Sequence, residues 1–261
     1  MSTLHCQVRG RGRDVVLLHG WSTNLAIFED LAERLASRFR VIAVDLPGCG
    51  ASDWDPRAVT PAAQAWRVHE TLAPLTARYA LLGWSLGGQF ALDLAAAMPA
   101  AITRLALIST TPRFTAAPGW RCGTPPALLT RLLRTLVADP ARAVDEFLRL
   151  CVRGLAPRTA ARVLRVLGTA LAAHGAARPE ALASGLERLR HGDLRAALPL
   201  VRVPVLVVAG QHDCVIRPAA SRGLAAALPQ ARYVQIAGAT HVPFLSHARQ
   251  FAELLGGFLR G

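Results

Sequence analysis

Three residues of this 261-residue chain, Ser85, Asp213 and His241, have the types and order needed to activate an alcohol as a nucleophile. Ser85 sits within Gly83-Trp84-Ser85-Leu86-Gly87, a G-x-S-x-G pattern with a buried-strand candidate before it and a helical pattern after it. A turn of that kind exposes a small hydroxyl at the carboxyl edge of a sheet, and its small flanking residues let neighbouring segments pass close by. A structural serine in a glycine-rich turn is the competing reading, and the pentapeptide alone does not separate the two.

An alcohol is a poor nucleophile at neutral pH, so Ser85 needs a base, and the base needs an orienting carboxylate. Both should come after later strands, in the order serine, acid, histidine. "VPVLVVAG" is followed by "QHDCVIRP", which offers Asp213, and "RYVQIAG" is followed by "ATHVPFLSH", which offers His241. His247 is the nearest rival base, but it falls at or in the final helix. His212 adjoins the acid it would have to bridge from. His5, His69, His174 and His191 lack the strand context. A tetrahedral intermediate also needs two donors for its oxyanion. The Leu86 N–H follows the nucleophile and opens a helix, whose N-terminus favours negative charge. The Trp21 N–H in "LLHGWSTN" is the second candidate, with His19 and Gly20 shaping its loop; "DLPGCGASD" is expected to be a shaping turn without direct chemistry.

The elements that must position these groups follow from apolar runs ending at turn residues: "DVVLLHG", "RVIAVDLPG", "ALLGWS", "RLALIST", "VPVLVVAG" and "RYVQIAG". Such runs suit strands buried on both faces, and helical patterns between several of them imply an α/β class with a mostly parallel sheet covered on both sides. After Ser85, Leu86, Phe90, Ala91, Leu94, Ala95 and Met98 mark one helical face. The alternation stops after "STTP" and resumes near Pro204. Residues 1–111 and 201–261 are therefore expected to form one sheet domain, with residues 112–200 as a helical insertion. Inside it, Asp139 can cap a helix with Pro140 at its first position, whose apolar face is Val144, Phe147, Leu148, Cys151, Val152 and Leu155. Arg142, Arg149 and Arg153 fall near one outward stripe of this helix, and Arg158, Arg162 and Arg165 form a second row on the next. A solvated face is the plain reading of such rows.

Composition narrows the classes further. Hydrophobic residues make up 52% and charged residues 18%, which excludes a disordered chain. No apolar stretch has the length of a membrane helix, and the N-terminal residues lack a secretory signal's pattern. Cys6, Cys49, Cys122, Cys151 and Cys214 are scattered without a CxxC pair, so free thiols in a reducing cytoplasm are expected rather than disulfides or a metal site. All basic residues are arginine, the formal charge is +13, and residues 112–200 hold 14 arginines against 6 acids. An anionic partner for that segment is one reading; a GC-rich genome is the other. Few aromatics and no reader motif rank nucleic acid low.

"HGW", "DLPGCGASD", "GWSLGG", "GQHDCVI" and "ATHVPFLSH", in this order, resemble the α/β-hydrolase superfamily across nearly the whole chain. The insertion is then that family's lid. "LHGWSTNLAIFEDLAERL", "GWSLGGQFALDLA" and "HVPFLSHARQF" are most similar to the pimeloyl-[acyl-carrier protein] methyl ester esterases of biotin synthesis, the BioH group. That resemblance implies substrate contacts at Trp21, Ser85, Leu86, His241 and the lid stretch Phe147, Leu148, Arg149, Leu150 and Cys151. Arg149 and Cys151 depart from the small residue and the amide expected there. It also implies an acyl-carrier protein as partner, docked on Arg142, Arg149, Arg153, Arg158 and Arg162, with no metal or organic cofactor and a monomeric enzyme. Dehalogenases and many epoxide hydrolases of this fold use an aspartate nucleophile, which Ser85 argues against. A broad short-chain carboxylesterase, a carbon–carbon hydrolase, a perhydrolase, a lyase or a ligand-binding receptor on the same scaffold would keep the three residues.

Overall fold

The computed structural model describes residues 4–261. The first part of the chain runs β1 (Cys6–Arg9), β2 (Arg13–Leu18), α1 (Glu29–Ala36), β3 (Phe39–Val44), α2 (Pro61–Leu72), β4 (Tyr79–Trp84), α3 (Leu86–Ala97) and β5 (Ile102–Ile108). Four helices follow: α4 (Pro126–Ala138), α5 (Pro140–Cys151), α6 (Pro157–His174) and α7 (Pro179–His191). The chain then closes with β6 (Val205–Gly210), α8 (Pro218–Ala227), β7 (Ala231–Ile236), α9 (Pro243–Ser246) and α10 (Ala248–Arg260).

The strands form one sheet in the order β1-β3-β2-β4-β5-β6-β7. β1 is antiparallel to β3, and the remaining neighbours are parallel. Every residue of β4 and of β6 is buried, as their unbroken apolar runs require of strands covered on both faces. β1 is the strand without a sequence expectation. Its four residues are half exposed at the sheet edge, too short for an alternating pattern to register. No helix among the described residues is long and apolar enough to cross a membrane.

The structure modifies the reading of α3. Leu86 through Leu92 are all buried, together with Leu94 and Ala95, so the helix is enclosed nearly all round rather than along one stripe. It packs on β4, α2 and the 3-10 turn Arg195–Leu200. Centrality explains this, because a helix behind the middle strand has neighbours on both flanks. α5 begins as its sequence indicates, with the Asp139 carboxylate accepting the Arg142 N–H at 3.0 Å.

The β4–α3 corner is tight. A Cβ on Gly83 would lie 2.4 Å from the Gly87 carbonyl oxygen and 2.6 Å from Gly88 Cα; one on Gly87 would lie 2.3 Å from the Leu18 carbonyl oxygen. All three contacts are backbone, which cannot swing aside as a side chain can. Gly83→Ala is therefore expected to destabilise the protein by roughly 1–3 kcal/mol, read as a lower urea midpoint at unchanged m-value.

Candidate active site

Ser85, Asp213 and His241 leave the carboxyl ends of β4, β6 and β7 and meet in a buried chain of hydrogen bonds. Asp213 is fixed first: its Oδ1 accepts the N–H groups of Val215 and Ile216, both at 2.9 Å. The carboxylate faces His241 Nδ1, with Oδ2 at 2.9 Å and Oδ1 at 3.1 Å. A carboxylate only accepts, so Nδ1 carries the hydrogen and Nε2 is left to accept. Nε2 lies 3.0 Å from Ser85 Oγ. The Trp84 indole N–H donates to the His241 carbonyl at 2.8 Å, holding the loop after β7 against the strand that presents the serine. This arrangement can draw the proton from an alcohol and keep the resulting imidazolium beside a buried carboxylate.

Ser85 itself adopts φ 54° and ψ −118°, a left-handed backbone that non-glycine residues rarely hold. Its N–H donates to the Ile108 carbonyl at 2.9 Å, and its carbonyl accepts the Thr110 hydroxyl at 2.7 Å and the Gly88 N–H at 2.9 Å. The Leu86 and Trp21 N–H groups find no acceptor among the described residues. Two donors without acceptors, one on the residue after Ser85 and one on a residue that lines the same cleft as Ser85, are what a developing oxyanion would require.

Ser85 and Trp21 line a cleft of ≈ 610 Å³, walled by apolar residues of α4, α5 and α7 and edged by Arg131, Arg149 and Arg153. The expected stretch 147–151 divides between two sides of α5. Phe147, Arg149 and Leu150 line the cleft, whereas Leu148 and Cys151 are buried against other apolar side chains. Five consecutive helical residues span more than a full turn and cannot share one face. Burial, then the charge of Asp213, pushes the Cys151 thiol well above its ordinary value, which makes it an apolar filler rather than a second nucleophile. Leu86 borders a smaller neighbouring pocket beside Trp21.

Comparison with known proteins reaches the same fold. The alpha/beta hydrolase fold family matches residues 15–248. A pimeloyl-[acyl-carrier protein] methyl ester esterase from Stenotrophomonas maltophilia is 40% identical over 98% of this chain and 96% of its own length. One from Xanthomonas oryzae pv. oryzae is 41% identical over 98% of each. Among solved structures, an esterase from Exiguobacterium antarcticum superposes with a TM-score of 0.88 at 24% identity, covering 100% of both chains. The chain belongs to the α/β-hydrolase family, in the branch of the pimeloyl-[acyl-carrier protein] methyl ester esterases.

The arginines expected to face outward in this hydrolase are exposed, but they do different things. Arg142 pairs with Glu146 at 2.9 Å and Arg149 with Asp145 at 2.7 Å, each within α5. Arg162 reaches back to the Leu245 carbonyl at 3.0 Å, tying α6 to the segment after His241. Arg153 and Arg158 form no ion pair with an acidic residue among the described residues, unlike Arg142 and Arg149. The rival His247 lies 2.9 Å from Ser246 Oγ through Nδ1 and stands just before α10, with no side-chain bond to that helix's N-terminus.

His19 braces the loop after β2 that carries Trp21. Its Nε2 accepts the Leu46 N–H at 2.9 Å, which leaves Nδ1 to donate to the Gly20 carbonyl at 2.9 Å. The turn after β3 does structural work beyond its sequence expectation. Buried Asp45 accepts the N–H groups of Leu25 at 2.7 Å and Ala51 at 3.0 Å. Burial lowers the His19 pKa from 6.5, a shift that the nearby Asp45 charge only partly opposes. The unfolded chain thus takes up a proton near pH 6.5 that the folded chain refuses. This contribution to stability is present above that pH and is lost as the pH falls. His19→Gln should be less stable at pH 8 but lose less on acidification to about pH 5, measured by urea unfolding at both.

Proposed function

We propose that this hydrolase cleaves the methyl ester of a pimeloyl chain carried on acyl-carrier protein, releasing methanol. Its full-length similarity to enzymes of that name carries the substrate assignment, and the hydrogen-bonded Ser85, His241 and Asp213 support the mechanism. His241 Nε2 takes the Ser85 proton as Oγ attacks the terminal ester carbonyl. The oxyanion is received by the Trp21 and Leu86 N–H groups. His241 returns the proton to the departing methoxide, leaving an acyl ester on Ser85. Water, deprotonated by the same imidazole, attacks that ester and frees the carboxylate together with Ser85.

The helices α4–α7 act in this reading as a lid whose cleft holds the acyl chain. Phe147, Leu150 and their apolar neighbours cover the methylenes, and chain length decides which carbonyl reaches Ser85. The distal ester is attacked and the thioester to the carrier is spared. The exposed arginines of α5 and α6 give the acidic carrier protein a docking face. The reading also makes the enzyme a monomer and places it in the cytoplasm, where its five free cysteines stay reduced.

Ser85→Ala is expected to lower methanol release from the purified carrier-protein ester by at least about 10⁴-fold while keeping the native melting temperature. It should also fail to rescue a biotin-requiring strain that lacks the esterase; substantial residual turnover would reject the nucleophile assignment. Reversing charge at Arg158 and Arg165, both exposed on α6, should raise KM for the carrier-protein ester about tenfold, with reduced sensitivity to salt. Turnover of a small soluble methyl ester should fall far less, and an equal loss on both substrates would refute the docking face.

A further inference from the structure

Helix α7 touches both Trp21 and Leu86, whose N–H groups have no acceptor among the described residues. The Trp21 indole donates from Nε1 to the Leu182 carbonyl at 2.9 Å. One turn on, a Cβ placed on Gly185 would lie 2.7 Å from Trp21 Cδ1 and 3.2 Å from Leu86 Cδ2. The helix has little freedom to retreat. Gln64 of α2 donates to Ser184 Oγ at 2.8 Å. Arg188, buried, pairs with Asp93 of α3, lies 4.4 Å above the Phe90 ring and reaches the Pro61 carbonyl at 3.3 Å. The Trp21 ring also meets Phe147 of α5 edge-on at 5.0 Å and 89°.

The Trp21 indole is thus held by both α5 and α7. Its backbone N–H belongs to the Gly20–Trp21 peptide, whose carbonyl accepts His19 Nδ1 at 2.9 Å and the Thr23 hydroxyl at 3.1 Å, so the loop fixes that peptide from within and α7 holds the same residue by its side chain. The helix gripped by Arg188 is α3, which opens with Leu86. One helix outside the sheet therefore braces both expected oxyanion donors. We propose that Gly185 is a positioning residue for the oxyanion site, its missing side chain allowing α7 to lie flush on Trp21 and Leu86.

This inference rests on the serine-hydrolase reading, and its test separates the two. A methyl at Gly185 must displace either the clamped indole or the tethered helix, and a misplacement of about 1 Å in such a site costs up to about 100-fold in rate. Gly185→Ala should lower kcat about 10- to 100-fold on p-nitrophenyl butyrate and on a long-chain methyl ester alike, with KM within about threefold. Affinity for an alkyl trifluoromethyl ketone, which forms a tetrahedral adduct on Ser85, should fall by the same factor as kcat/KM. A residue that only lined the cleft would instead raise KM on the long ester.

Trp21→Ala, which removes the ring with its Cδ1 and Nε1, should also lower kcat. Combined with Gly185→Ala it should cost much less than the product of the two losses, because the atoms nearest the added methyl are gone. Unchanged kcat and ketone affinity in Gly185→Ala, or multiplicative losses in the double variant, would overturn the inference while inert Ser85→Ala left the hydrolase reading standing. Turnover by Ser85→Ala would remove both.

Discussion

The backbone of Ser85 is the constraint on which the site depends. A strand and a helix meet there with no connecting loop, and the single residue between them must take φ 54° and ψ −118°. For a residue with a side chain, a conformation of this kind costs on the order of 1–3 kcal/mol and persists only where the surroundings over-determine it. Here they do. Its N–H and carbonyl are held by Ile108, Thr110 and Gly88, and the strand and helix on either side are almost wholly buried. Strain also gathers at this edge: Ser22 and Ser109 are the other non-glycine residues with positive φ among those described, and they lie beyond the ends of β2 and β5. Those strands flank β4 on its two sides. Three adjacent strands thus run into sharp turns at the edge where Ser85, Asp213 and His241 meet.

Why the sequence discloses so much of this site follows from the same corner. Gly83, Ser85 and Gly87 are neighbours in the chain, so the steric demand of the turn is written locally, and the order of acid and base along the chain follows from where later strands end. Residues whose work depends on distant partners leave no such mark. Gly185 reads as one more small residue in an amphipathic helix until Trp21, far earlier in the chain, is seen against it. Arg188 reads as part of a basic stretch, yet its side chain is 3% exposed and paired with Asp93. β1 escaped for the opposite reason: it is short, half exposed and ordered by its neighbour β3 rather than by a pattern of its own. The family resemblance puts Leu148 and Cys151 with Phe147 as substrate contacts, and helical geometry divides them between the cleft and the core.

The arginine surplus of the inserted helices carries more than one meaning. A guanidinium presents five donors in a planar fork and keeps its charge when buried, so it can serve as a fastener as well as a source of field. Arg188 fastens α7 to α3 and α2, and Arg162 fastens α6 to the backbone beyond His241. Arg113 joins Asp193 at 2.8 Å across the base of the insertion. Counting charges by composition merges these with the exposed rows, and so overstates the field available to an anionic partner.

That division also bears on how the helical segment can be both rigid and open. The fastened arginines lie on α6 and α7 and at the base of the insertion, and the bonds from Thr240 to the Cys151 carbonyl at 2.8 Å and from Asn24 to the Ala170 carbonyl at 2.9 Å join the same structure. α4 differs: its threonines bond only to carbonyls of their own helix, at Pro126 and Arg131, and Leu128 and Val137 are 56% and 87% exposed. Free energy of local opening follows the density of such ties. On the proposed function, a cleft that admits a tethered chain while holding Trp21 and Leu86 in place is served by this arrangement, because the helix packed on Trp21 and Leu86 is not the one with the fewest bonds to the core.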